Sequence, residues 1–114
     1  MTNSVFAGDR ARWLPLYKRL RSLALRKIGP FNEYAVLNSV LWKHSSTFAE
    51  ISAKEECMIV AFASDALHEE WEASKVLQLS QNRVVHYFEV CDSSLFAELV
   101  ERISEAYVLP GRSR

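Results

Sequence analysis

The sequence predicts an α+β fold: a single antiparallel sheet of four to five strands with N- and C-terminal helices packed on one face, in the order α-β-β-β-α-β-β-α. Three observations predict it. The stretch Val84-Val85-His86-Tyr87-Phe88-Glu89-Val90-Cys91 is the longest run rich in β-branched and aromatic residues, and it reads as the central strand. Alternation puts Val84, His86, Phe88 and Val90 on one side, apolar but for one imidazole, and leaves a mixed set on the other, a pattern suited to a sheet backed by helices on one face. Finally, the two long apolar stripes at helical spacing lie at opposite ends of the chain.

Taken in order, residues 1–13 lack periodicity up to Trp13 and read as a flexible N-terminal tail. A helix is expected over 14–28. Pro15 suits its first turn, Leu16, Tyr17, Leu20, Leu23, Ala24 and Ile28 form its stripe, and Gly29-Pro30 ends it. Residues 31–34 read as a connector and 35–43 as a strand, with a short helix as the alternative for its first half. His44-Ser45-Ser46 has hairpin composition, and 47–52 returns antiparallel. The nearly unbroken apolar run 57–63 reads as an interior strand, completing a meander. Ser64 or Asp65 caps a helix expected over 66–74, whose acids crowd its first half. A short strand at 76–79 precedes the strand 83–91. Asp92 or Ser93 then caps a last helix with the stripe Leu95, Phe96, Leu99, Val100, Ile103, Ala106 and Tyr107. Residues 14–109 thus read as one α+β domain, with 110–114 a C-terminal tail.

The chain has 114 residues, 49% hydrophobic and 25% charged, enough for a real core without staples. No apolar run approaches the roughly 20 residues of a membrane span, and the opening residues do not resemble a secretory leader. Cys57 and Cys91 are therefore expected to be reduced and buried, and the compartment to be the cytoplasm. Net charge is zero but unevenly spread: residues 1–30 carry seven bases and one acid, the remainder seven bases and thirteen acids. The basic first helix either faces an anionic partner or complements the acidic rest of its own domain; the second is the plainer reading.

Sites of known chemistry are hard to find. Three glycines give no phosphate-cradling loop, and His44, His68 and His86 show no metal-ligand spacing. No nucleophile elbow is present. No cofactor, metal or catalytic residue is therefore assigned. His86 is the sharpest single residue, because a titratable ring on the apolar side of a strand must find a partner or be costly to bury. Trp42-Lys43-His44 combines aromatic area, a cation and an imidazole at a hairpin tip. Trp71, with His68 and Glu72, reads either as plain core or as a lid over the open sheet face.

The segment from Trp42 to Ile51, the strand from Asn82 to Val90 and the ending Glu105-Ala106-Tyr107 resemble the bacterial family numbered 5655 among domains of unknown function. Phe48-Ala49, His86 and Ala106-Tyr107 match its three short elements; where members often have a second aromatic or histidine after the first histidine, this chain has Tyr87. The resemblance covers roughly residues 14–109. It implies a fold and a recurrent constellation rather than a reaction. Some members are labelled predicted transport proteins, which implies an accessory or ligand-sensing role.

Three functions follow as expectations. The first is a non-catalytic binding module that holds a small anionic or aromatic ligand, or a protein partner, with Trp42, Lys43, His44, Phe48, Trp71, Arg83 and His86. The second is nucleic-acid binding through Arg19, Arg21, Arg26 and Lys27. The third, least supported, is an enzyme with His86 or His44 as general base. A homodimer is expected if Trp42 and Phe62 are left uncovered.

Overall fold

The first helix closes where its sequence runs out of allowed conformations. In the computed structural model, which describes residues 5–112 and the side chains of 5–108, α1 (Leu14–Lys27) ends at Ile28 and Gly29 turns with φ +142°. A side chain at Gly29 would be strained by that backbone and would meet the Tyr107 hydroxyl at 3.2 Å, so only glycine fits. Tyr107 Oη donates to the Pro30 carbonyl at 2.8 Å, which ties the chain leaving α1 to the last helix.

Six strands follow: β1 (Asn32–Ala35), β2 (Ser39–Lys43), β3 (Thr47–Ala53), β4 (Met58–Ser64), β5 (Lys75–Ser80) and β6 (Arg83–Val90). They form one antiparallel sheet in the order β1-β2-β3-β4-β6-β5, followed in sequence by α2 (Phe96–Arg112). The sheet therefore has more strands than the four to five expected. β1 was hidden because Asn-Glu-Tyr-Ala lacks apolar alternation; it is an exposed edge strand whose pairing comes from β2. β6 lies one strand in from the edge rather than at the centre, between β4 and β5.

The helix expected over 66–74 is absent. Its place is taken by irregular chain with a single 3₁₀ turn at Glu69–Trp71, stopped by Glu72 in the left-handed region at φ 55°. Leu67 is exposed and only Trp71 and the small Ala73 turn inward, too little apolar surface to hold a short helix in place. The first thirteen residues also differ from expectation. Val5 and Phe6 are buried, a 3₁₀ segment spans Gly8–Trp13, and Trp13 Nε1 donates to the Lys54 carbonyl at 2.8 Å. Residues 1–4 of that expected tail, and 113–114 of the C-terminal one, lie outside the described residues. The backbone of α2 continues to Arg112, through positions expected to be tail.

One face of the sheet carries the core. Val40, Trp42, Ile51, Met58, Val60, Phe62, Phe88 and Val90 are buried with Tyr17, Leu20 and Ala24 of α1 and Phe96, Leu99, Val100, Ile103 and Ala106 of α2. Asp92 Oδ1 accepts from the Ser94 amide at 2.9 Å, so the cap expected before the last helix forms. Trp42 and Phe62 are both buried, which removes the uncovered aromatic pair on which a dimer was expected. The opposite face, with Leu41, Ile59, Ala63, Val85 and Tyr87, is half-buried. Among the described residues no helix is long and apolar enough to cross a membrane.

Candidate functional site around the buried imidazole

Register builds the site. Phe62 on β4 stands opposite His86 on β6, and Val76 on β5 flanks His86 from the other side, so the imidazole emerges on the helix-bearing face. It is fully buried. The chain between β4 and β5 passes over it: the His68 amide donates to His86 Nε2 at 3.1 Å. An Nε2 that accepts must carry a lone pair, so the ring is neutral with its proton on Nδ1. Nδ1 has no hydrogen-bond partner. The molecule thus keeps a donor inside its core without an acceptor in bonding geometry, an arrangement that costs about 1–3 kcal/mol.

Aromatic rings and one guanidinium roof this donor. The His68 ring stacks on Trp71 with centroids 4.0 Å apart, and Trp71 lies 4.9 Å from His86 and 5.9 Å from Phe62. Phe62 in turn stacks on Phe88 at 5.4 Å. Arg102, on α2, places its guanidinium carbon 5.1 Å from the Trp71 centroid while pairing with Glu98 at 3.4 Å. His68 Nδ1 donates to Glu70 Oε2 at 3.0 Å, which holds the Glu70 carboxyl below its ordinary range. Burial pushes the His86 pKa down, and the neighbouring His68 adds to that; the Val84 carbonyl pulls weakly upward without reaching hydrogen-bond geometry. Outside Trp71 opens a cleft of about 290 Å³ lined by Ser74, Phe88, Arg102 and four carboxylates, Glu70, Glu72, Glu89 and Glu98.

The seven residues expected to form one ligand site lie in three places. Trp71 and His86 are together, as above. Trp42, Phe48 and His44 belong to a second aromatic cluster: Trp42 stacks on Phe31 at 4.6 Å, Phe48 meets Tyr107 edge-on at 5.0 Å, and His44 stacks on Tyr107 at 4.6 Å. Phe48 reaches that face through a bulge, where the register slips so that Trp42 opposes Ala49 and Lys43 opposes Thr47. Lys43 and Arg83 alternate onto the other face. Lys43 Nζ sits 5.1 Å from the Tyr34 ring, and Arg83 lines a shallow 150 Å³ groove with Glu50 and Val85. Trp71 lies against the helix-bearing face, not as a lid over the open one.

The four bases of the first helix also divide. Arg21 pairs with Glu33 at 3.1 Å, and Glu33 accepts from the Tyr17 hydroxyl, which itself accepts from Trp42 Nε1 at 3.0 Å. Arg19 reaches Ser93 Oγ at 3.4 Å. Arg19 and Arg26 line a 420 Å³ groove with Lys18 and Ser22, whereas Lys27 faces a second groove with Glu101. Sequence reasoning missed Arg102 as a site residue; in the structure it also bonds Glu98 one turn earlier on α2. Among the described residues, no group of three or more His, Cys, Asp or Glu side chains is placed to hold a metal.

The family model for Domain of unknown function DUF5655 matches residues 2–110. The chain belongs to this family. No curated protein and no solved structure shows significant similarity to it. The His86 that carried the family resemblance in the sequence is thus the residue around which this DUF5655 chain gathers its most unusual polar geometry.

Proposed function

We propose that the protein is a non-catalytic binding module whose ligand enters the cleft beside Trp71 and takes the free donor of His86. The observation that carries this reading is the unpartnered Nδ1–H beneath a lid of irregular chain. A buried donor without an acceptor is disfavoured, and a ligand oxygen or nitrogen that supplied one would recover that cost on binding. Trp71 and Phe88 offer flat apolar walls, which suit an aromatic ring.

The charge of the cleft refines the ligand. With Lys43 and Arg83 on the other face, one cation, Arg102, stands against four carboxylates. That balance favours a neutral or cationic aromatic group over an anionic one. An arginine or aromatic side chain presented by a protein partner has the same chemistry, and the accessory role in a bacterial cytosol belongs to this reading. Titration with benzamidine and with benzoate, followed by ¹H–¹⁵N spectra, tests it. Benzamidine is expected to shift the Trp71 indole and the amides of residues 66–74, and Trp71→Ala to abolish the response. Silence from both compounds, or a preference for benzoate, overturns the proposal.

A second reading keeps the basic helix. The groove lined by Lys18, Arg19, Ser22 and Arg26 favours it, but Arg21 is engaged with Glu33. It predicts duplex DNA affinity at low salt that falls steeply as salt rises. Absence of binding at low salt ends it.

A further inference from the structure

We propose that Cys57 and Cys91 form a reversible intramolecular disulfide, so that the end of the β4–β6 ladder is a site of oxidative modification by hydroperoxides. The register carries the inference. Met58 pairs with Val90 as the last pair of the ladder, and one further step in each direction sets Cys57 opposite Cys91. Residues directly opposite in an antiparallel pair have Cα atoms about 4.5–5.5 Å apart, inside the range a disulfide spans. Both side chains leave on the same face, because both positions continue the Ile59 and Glu89 alternation.

Two further observations agree with the register. Cys91 Sγ lies 3.5 Å from the Glu56 carbonyl, against the residue preceding Cys57. Burial raises the Cys57 pKa, and Glu89 and Cys91 each raise it further, so the second thiol is within electrostatic reach of the first. Both cysteines are free, Cys57 buried and Cys91 exposed.

That difference in exposure sets the order of steps. A hydroperoxide meets Cys91 first: its thiolate attacks the O–O bond, takes one oxygen as sulfenic acid, and releases water or an alcohol after protonation. Cys57 then attacks the Cys91 sulfur, forming the S–S bond and expelling hydroxide, which takes up the proton lost by Cys57 to leave as water. Two thiols have given up two electrons and two protons to one peroxide. The bond closes a loop of 35 residues if both cysteines are counted, and it braces the 54–56 turn, on which Trp13 hangs by its hydrogen bonds to Lys54 and Glu55.

Hydrogen peroxide added to the folded chain, quenched by iodoacetamide and read by intact mass, tests the proposal. The expected product is a monomer lighter by two hydrogen atoms, with neither cysteine alkylated and one tryptic species linking the two. Its thermal midpoint is expected to rise by on the order of 10 °C and to fall back with dithiothreitol. A Cys91→Ser variant is expected to leave Cys57 as an unmodified thiol under the same treatment. Cys91 stopping at sulfinic or sulfonic acid while Cys57 stays alkylatable would overturn it, as would a product linked only between chains.

Discussion

His86 shows at the scale of one residue how a neutral ring ties stability to pH. Burial lowers its pKa below the ordinary 6.5, so the folded chain binds a proton less readily than the unfolded one. Above 6.5 both forms are neutral there and the residue adds no pH dependence. As pH falls below 6.5, the unfolded chain takes up the proton first, and stability declines until the folded pKa is passed. His68 and Arg102 oppose protonation and Glu70 favours it, but burial is the largest influence. The lowered pKa values of Glu70 and Asp92 act in the carboxylate range, well below this window. The thermal midpoint is therefore expected to fall from pH 7.5 to about 5.5, and His86→Phe to flatten that slope. A slope unchanged by the substitution would show that another group causes it. Tyr17 makes the opposite kind of contribution. Its hydroxyl is fully partnered, donating to Glu33 and accepting from the buried Trp42 indole, and burial followed by the Glu33 bond raises its pKa far above the normal phenol value. Tyr17→Phe leaves the indole donor unpaired and is expected to cost about 1–3 kcal/mol in chemical denaturation.

At the scale of elements, the stretch between β4 and β5 shows where local pattern stops being informative. Glu72 holds a left-handed backbone that costs a side-chain-bearing residue about 1–2 kcal/mol, more than the roughly 0.5–1 kcal/mol entropic penalty of glycine. Glu72→Gly is accordingly expected to stabilise the fold slightly, by up to about 1 kcal/mol, and a loss on denaturant titration would refute this. The same segment resisted prediction because its two large apolar residues do opposite things. Leu67 points to water, while Trp71 is captured by rings on β4, β6 and the loop itself, partners that no local periodicity points to. α1, β4, β6 and α2 were legible to within a few residues at most ends because each has its own apolar stripe or alternation. β1 was not, because an edge strand is defined by its neighbour. Phe48 was legible as aromatic but not as core, since only the bulge in the β2–β3 pairing turns it inward.

For the whole molecule, charge and topology decide how the pieces hold together. The basic first thirty residues meet acids of the same chain: Arg21 at Glu33, and Lys27 in a groove shared with Glu101. Raising sodium chloride from about 0.01 M to about 1 M screens the half-exposed Arg21–Glu33 pair, and stability is expected to fall by roughly 0.5–1 kcal/mol. Arg21→Ala should shrink the salt effect on the thermal midpoint. The candidate site was half legible. His86 stood out as a polar ring on an apolar face and Trp71 was grouped with it, but His68 and Arg102 were not, because they come from a loop and a helix joined to it only by folding. Lys43 and Arg83 were grouped with it by sequence character alone, and strand alternation sends them to the other side.

The bond from the His68 amide to His86 has one more outcome. A molecule that lifts the overlying chain exposes the Nε2 lone pair to water, and the ring regains the basicity of free imidazole. Occupancy then draws a hydrogen ion out of solution near pH 6. The heat released in calorimetry should accordingly differ between phosphate and bis-Tris by the protons taken up times the difference in the ionisation enthalpies of the two buffers, and the difference should vanish in His86→Phe.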